Sequence, residues 1–344
     1  MPKILVSGGT GYIGSHTVVE LMDKGMDVVI VDNLSNSEIE VLDGIKSITG
    51  LMPHFEEVDL KDRKATYGVF EKHPDISAII HFAAYKAVGE SVEKPLDYYE
   101  NNLLSLIHLL EAMKIYGIDH LVFSSSCTVY GEPDSLPVTE MAALKKANSP
   151  YGNTKQICED ILQDTMKSVE GKGVISLRYF NPIGAHPSAS IGELPLGVPN
   201  NLVPFITQTA AGVRECLSVF GDDYNTPDGS AIRDYINVVD LAKAHVTAID
   251  RLLDGKQKAA FEVFNLGTGR GVSVLEIIRA FESATGKKLN YKVVGRREGD
   301  IEKVFADTTY ANQELGWKAE KGLDETLQSA WKWEMKIRSK KKHL

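Results

Sequence analysis

The stretch KILVSGGTGYIGSHTVVELMDKGMDVVIVDN, residues 3–33, decides the fold. Residues 3–6 are a short apolar run that leads into Ser7 and reads as a strand. Gly8, Gly11 and Gly14 follow at three-residue spacing, and a helical pattern begins at Tyr12. Strand, glycine turn and helix start, in that order, make a phosphate-binding turn. Glycines permit the tight turn and the close approach of backbone to a pyrophosphate. The helix start offers free N–H groups and the positive end of its dipole. The spacing G-x-x-G-x-x-G departs from the better-known G-x-G-x-x-G, and glycines alone are common in turns. The next strand, residues 27–33, therefore carries weight. Its Asp32 lies 18 residues after Gly14. An acid there accepts hydrogen bonds from an adenosine ribose and repels a 2′-phosphate, which points to NAD rather than NADP.

Working outward, strands are expected at 3–7, 27–32, 54–58, 76–82, 120–125 and 174–179, and helices at 12–24, 62–72, 95–117 and 150–170. This alternation predicts an α/β, Rossmann-type, doubly wound parallel sheet with a smaller C-terminal substrate-binding lobe. Ligands of such sheets lie at the carboxyl ends of the strands. Gly8, Asp32, Asp59, Phe82, Ser124–Ser126 and Tyr179–Asn181 all fall there. Residues 181–200 are irregular and rich in Pro, Gly, Ser and Ala, as binding loops are. The chain then returns to the sheet through a strand and helix in RDYINVVDLAKAHVTAIDRLL and a strand in AFEVFNLG. Residues 273–283 and 308–316 read as helices of the smaller lobe. The expected division is a dinucleotide-binding domain of residues 1–180 plus about 236–266, and a second lobe of about 181–235 and 267–344.

Within NSPYGNTKQICEDIL, Ser149 is the expected N-cap and Pro150 the first helical residue. Tyr151 and Lys155, four apart, share one helix face. An ammonium beside a phenol favours the phenolate, so this pair predicts a tyrosine pKa lowered toward neutrality and a general base for an alcohol. An ordinary surface Tyr and Lys is the alternative reading of the spacing alone.

The 344 residues carry a net charge of −9, which argues against a nucleic-acid-binding protein. The basic run Lys340-Lys341-Lys342-His343 reads as a frayed, solvated end. Cys127, Cys158 and Cys216 show no metal-type spacing and fit reduced thiols in a cytosolic protein. No apolar run approaches 18 residues and no signal peptide precedes the first strand, so a soluble cytoplasmic protein without membrane contact is expected. No metal site is expected. His81 and His16 read as packed histidines.

Ten segments are similar to extended short-chain dehydrogenase/reductases, and within them to the UDP-glucose 4-epimerase family: SGGTGYIGSHT, DNLSNS, IIHFAAYKAVGESVEKPLDYYENN, SSSCTVYG, SPYGNTK, RYFNPIGAHPS, GVPNNLVPF, RDYINVVDLA, NLGTG and RREGD. The resemblance covers about residues 2–335. It implies tightly bound NAD, a UDP-hexose substrate, a homodimer, and 4-epimerisation through a 4-keto sugar. Ser126, Tyr151 and Lys155 are implied as the catalytic set. On the cofactor side the resemblance places Gly8, Gly11, Tyr12, Ile13, Gly14, Asp32, Asn33, Ser37, Asp59, Leu60, Phe82, Ala83, Ala84, Lys86, Asn101 and Phe180. The substrate side takes Lys86, Asn181, Asn201, Leu202, Phe220, Arg233, Tyr235, Arg297, Asp300 and Val304. Two arginines suit a pyrophosphate clamp. Related dehydratases and decarboxylases place a carboxylate just after the Ser126 position, where this chain has Cys127 and Thr128. A non-catalytic dinucleotide-binding protein would not need Ser126, Tyr151 and Lys155 together. Val304 stands where a bulky Tyr marks relatives restricted to plain hexoses, so UDP-N-acetylhexosamines are expected as further substrates.

Overall fold

The computed structural model describes residues 1–297 and 300–341. Glu298 and Gly299 of RREGD, and residues 342–343 of the basic run, lie outside the described residues. The first half of the chain alternates β1 (Lys3–Ser7), α1 (Tyr12–Asp23), β2 (Asp27–Asp32), α2 (Val41–Thr49), β3 (His54–Glu57), α3 (Arg63–Lys72) and β4 (Ile76–His81). It continues with α4 (Val88–Glu93), α5 (Pro95–Tyr116), β5 (His120–Ser126), α6 (Pro150–Lys167) and β6 (Gly173–Tyr179). The remainder comprises β7 (Asn181–Ile183), α7 (Leu202–Ala210), β8 (Leu217–Phe220), β9 (Ile232–Asn237), α8 (Val238–Leu253) and β10 (Phe261–Leu266). Last come β11 (Gly271–Ser273), α9 (Val274–Thr285), β12 (Tyr291–Val294), β13 (Lys303–Val304) and α10 (Leu323–Lys341).

Seven strands form one sheet in the order β10-β6-β5-β4-β1-β2-β3, with every neighbouring pair parallel. Alternating side chains send apolar groups to both faces. Ile4, Val6, Val28 and Ile30 pack with Val18 and Leu21 of α1 and Leu241, Ala244 and Ala248 of α8. Leu5, Val29, Val31 and Ile79 pack with Val69 and Phe70 of α3, Leu106 and Leu109 of α5, and Leu162 of α6. Burial on both faces explains why these strands read as continuous apolar runs. The strand order reverses between β1 and β4, and a crevice opens there at the carboxyl ends.

A second core, containing Val203, Ile206, Leu217, Val219, Tyr235, Ile277, Phe281 and Leu327, lies under a four-stranded sheet and the pair β8–β12. Two expectations are corrected here. The strand of RDYIN does not rejoin the main sheet. It is β9, which pairs with β7, β11 and β13. The place beside β6 is taken by β10, in register from Val174↔Phe261 to Tyr179↔Leu266. The expected helix at 308–316 is a short π-helical turn, Ala311–Leu315. It packs with the first core rather than the second: Ala311, Leu315 and Trp317 join the α1–α8 cluster. Arg251 Nη1 donates to the Glu314 carbonyl (2.8 Å), and Trp317 Nε1 donates to the Asp240 carbonyl (2.9 Å). The helices α2, α4, α7 and α10 were not expected.

Candidate active site

The crevice between β1 and β4 is shaped by backbone. Gly8 sits at φ +71°, and a Cβ there would lie 2.8 Å from the Ala83 nitrogen. A Cβ at Gly14 would lie 2.1 Å from the Gly8 carbonyl oxygen. α1 begins after Gly11 with no side-chain cap. Its first-turn N–H groups, from Tyr12, Ile13 and Gly14, have no intrahelical acceptor, and the dipole adds positive potential. Asp32 closes β2 and accepts from the N–H groups of Thr10 (3.2 Å) and Leu34 (3.0 Å) and from Ser37 Oγ (3.3 Å). Asn33 Oδ1 accepts from the Ser35 N–H (3.1 Å). Asp59 and Leu60 follow β3, where the Leu60 carbonyl hydrogen-bonds His108 Nδ1 (2.8 Å). A glycine cradle no Cβ can enter, an uncapped helix start and a carboxylate at the end of the second strand together fit a dinucleotide with a free ribose 2′-hydroxyl.

Phe82, Ala83 and Ala84 line the exit of β4. The Phe82 ring lies 4.6 Å from that of His245, and the Ala83 N–H reaches Ser7 Oγ (3.4 Å). His81 is buried, with Nδ1 hydrogen-bonded to Ser7 Oγ (2.7 Å), and His16 is buried with Nδ1 hydrogen-bonded to the Tyr12 carbonyl (2.7 Å); both are packed groups. Asn101 Nδ2 donates to Asn102 Oδ1 (3.0 Å). Asn102 also accepts from the Tyr85 N–H (2.8 Å) and donates to the Tyr85 carbonyl and Thr154 Oγ1 (both 3.0 Å), tying the 82–86 loop to α6.

Ser149 caps α6 by accepting from the Gly152 N–H (3.1 Å), and Pro150 opens it. The helix brings Tyr151 and Lys155 to the end of β5, beside Ser126. Ser126 Oγ also accepts from the Thr128 N–H (3.2 Å) and so caps the short 3-10 turn Cys127–Tyr130. The expected lowering of the tyrosine by Lys155 is corrected. Burial pushes the Tyr151 phenol up to about 12, and the neighbouring Ser126 hydroxyl is the influence that opposes it. Lys155, itself lowered to about 8 by burial, spends its Nζ on the Ser124 carbonyl (2.6 Å). Two groups on one helix face thus need not pair: a strand-end carbonyl takes the ammonium instead.

The second lobe supplies the opposite wall. Asn181 and Tyr235 are partners across β7 and β9, and Arg233 pairs with Val304 across β9 and β13. Arg233 Nη2 and Arg297 Nη2 both reach Asp300 Oδ1, at 3.5 and 2.8 Å. The Arg297 guanidinium lies 5.7 Å from the Phe220 ring centroid. Asn201 occupies the N-cap position of α7, ahead of Leu202, but its side chain makes no cap bond. Its Nδ2 donates instead to Glu193 Oε1 (2.5 Å), and Lys86 Nζ stands 3.8 Å from the same oxygen. Val304 packs with Val129, Tyr130, Phe180 and the partly buried Cys127, joining the strand from the second lobe to the turn after Ser126.

Sequence reading missed Glu193, hidden in the irregular 181–200 loop, and Asn102, whose partners are 17 and 52 residues away. It also missed the bond between the Tyr179 and Ser124 hydroxyls; the position of both at neighbouring strand ends was the available signal. Among the described residues no group of three or more His, Cys, Asp or Glu is placed to hold a metal ion.

The family model described as GDP-mannose 4,6 dehydratase matches residues 5–330. A UDP-glucose 4-epimerase of Bacillus subtilis is 52% identical over 331 residues, 96% of each chain. Among solved structures, the UDP-glucose 4-epimerase of Stenotrophomonas maltophila with bound NAD and formylated UDP-arabinopyranose is 47% identical with a TM-score of 0.95, covering 99% of this chain and 100% of that one. That of Bifidobacterium longum, in complex with NAD+ and UDP, is 45% identical with a TM-score of 0.93, covering 98% of this chain and 99% of that one. With its crevice, its Ser-Tyr-Lys set and these likenesses along nearly its whole length, the chain belongs to the UDP-glucose 4-epimerase family of extended short-chain dehydrogenase/reductases.

Proposed function

We infer that this protein is an isomerase that interconverts UDP-galactose and UDP-glucose, with NAD held in the β1–β4 crevice. The observation that carries the reading is the cluster of Phe180, Val304 and the turn after Ser126, which sets the catalytic hydroxyls against the lobe bearing Arg233 and Asp300. Bound NAD supplies a reversible acceptor for the hydrogen on sugar carbon 4, which is not acidic. The Lys155 ammonium and the positive nicotinamide of bound NAD would favour the Tyr151 phenolate over the phenol that burial alone favours, and this phenolate takes the proton of the 4-hydroxyl and later returns it. Ser126 hydrogen-bonds the reacting oxygen and orients it. Lys155 adds positive charge beside β5. Arg233 and Arg297 exchange Asp300 for the pyrophosphate, so the nucleotide is the fixed handle while the 4-keto sugar presents its other face. A dehydratase reading lacks its acid: Cys127 and Thr128 follow Ser126, and burial pushes the Cys127 thiol up to about 12. The test is coupled conversion of UDP-galactose to UDP-glucose by purified protein with no added NAD. Absence of product, with NAD supplied as well, refutes the reading.

The finer proposals follow the same residues. Val304 leaves room for an N-acetyl group at sugar carbon 2, so UDP-GalNAc and UDP-GlcNAc interconvert as well. Val304→Tyr should depress that activity at least about tenfold relative to the plain-hexose reaction, the scale on which pocket sterics discriminate; equal rates in both proteins refute it. A homodimer is proposed through α5 and α6, where Leu103, Leu104, Ile107, Ile157 and Ile161 remain partly exposed. A cytoplasmic location is proposed from three free cysteines. No helix among the described residues is long and apolar enough to cross a membrane.

A further inference from the structure

A buried chain of polar groups runs beneath the site, and none of the roles above uses it. Glu159 lies on α6 one turn beyond Lys155 and is 1% exposed. Its Oε1 accepts from Ser125 Oγ (2.6 Å), Ser176 Oγ (2.8 Å) and Arg178 Nε (3.0 Å), and its Oε2 accepts from Arg178 Nη2 (2.5 Å). Arg178, on β6 and 4% exposed, donates its other arm, Nη1, to the Tyr130 hydroxyl (3.0 Å). Tyr130 ends the 3-10 turn that Ser126 caps, and donates to Asn265 Oδ1 (2.6 Å). Asn265 Nδ2 donates to the Val138 carbonyl (2.9 Å), and the Val138 N–H donates to the Phe305 carbonyl (2.9 Å), next to Val304. One guanidinium therefore joins the helix carrying Tyr151, the turn carrying Ser126 and the segment after Val304.

Stability alone is a weak reason for this arrangement. Desolvating two charges is expensive, and apolar replacement of a buried ion pair is often neutral or stabilising. What the fork does is geometric: its two arms hold α6 and the Ser126 turn at a fixed separation. We propose that Arg178 is a positioning residue for the epimerase reaction, bracing Glu159 of α6 against Tyr130 so that the Ser126 and Tyr151 hydroxyls meet at the sugar 4-oxygen. The proposal rests on the function inferred above for those two hydroxyls. Arg178 touches neither substrate nor cofactor in this scheme, so its loss acts on turnover and not on binding.

Three variants test it, with UDP-galactose as substrate and bound NAD measured in each. Arg178→Lys keeps the charge but has one nitrogen for two partners. Glu159→Gln/Arg178→Met removes both charges together. Tyr130→Phe removes only the far link. Each should lower kcat by roughly ten- to a hundredfold, the cost of a misplacement near 1 Å, while KM stays within about twofold and NAD is retained. The double variant should fold, yet remain as slow as Arg178→Lys. Wild-type kcat in the double variant or in Tyr130→Phe overturns the proposal. So does a loss that falls on KM or on NAD retention. If the double variant does not fold, Tyr130→Phe decides alone by the same criteria. An inactive wild type would instead refute the epimerase reading.

Discussion

The two walls of the active-site cleft are built from different material. On the proposed cofactor side the wall is backbone: the Gly8 turn, the start of α1 and the ends of strands whose interiors are fully buried. Neighbouring atoms approach until no Cβ fits at Gly8 or Gly14. On the proposed substrate side the groups are long side chains. The Arg297 side chain is 59% exposed and Phe220 is 41% exposed, and Arg233 and Arg297 hold the same carboxylate, Asp300. A wall that keeps one ligand through every cycle is preorganised by its fold. In the proposed reaction the Asp300 pairing of the two arginines would have to be traded for the nucleotide, so binding would be an exchange of partners. The proposed chemistry sits where the two meet, on a helix start and a strand end.

The sharpest way to break this division is at the junction. Tyr151→Phe should lower kcat by about a thousandfold, within the usual reach of a general acid–base, while the melting temperature and bound NAD stay at wild-type values. Release of NAD by this variant would show that the junction is part of the cofactor wall. Gly14→Ala tests the rigid wall itself: the added Cβ meets the Gly8 carbonyl oxygen at 2.1 Å. Overpacking of this kind should weaken NAD retention roughly ten- to a hundredfold, read as NAD recovered from purified protein. Full retention would mean that the turn yields. Arg297→Ala tests the other wall. KM for UDP-galactose should rise about tenfold, the worth of one charge-assisted hydrogen bond, with NAD content unchanged.

The smallest effect concerns acid. His16 on α1, His81 on β4 and His245 on α8 all belong to the cofactor side, and burial lowers them from 6.5 to about 3, about 3 and about 4. Unfolded chains take up a proton at each near 6.5, whereas the folded protein does not. Below that pH the unfolded state binds more protons, so stability falls as pH drops from 6.5 toward 4. His245→Phe should flatten part of that slope in thermal melts between pH 7 and 5. An unchanged slope would show that its ring is not held neutral by the fold.

Legibility in the sequence followed the same division. Residues 3–33 displayed the turn, the helix and Asp32 contiguously, because a backbone-built wall depends on local chain geometry. The strand ends at Phe82, Ser126 and Tyr179 could be aligned by counting alternation. Side-chain partnerships across the fold could not. Lys155 was read as the partner of Tyr151 because helix periodicity is local, and the competing Ser124 carbonyl is 31 residues away. β9 was read into the main sheet because strand-like sequence does not name its neighbour. The 308–316 segment was given to the second lobe because chain order does not reveal that Trp317 anchors back on Asp240.

The order of the main sheet bears on how the protein can be made. β6 ends at Tyr179, but its outer neighbour β10 begins at Phe261, with α8 between them in sequence. On a ribosome adding about 5–20 residues per second, residues 180–260 keep β6 as a bare apolar edge, and α1 without its α8 cover, for several seconds at least. A translation product halted near residue 180 would carry the whole glycine turn and still present a sticky, unfinished sheet. Pauses within that interval, and protein released early from it, are therefore where aggregation and chaperone dependence should concentrate.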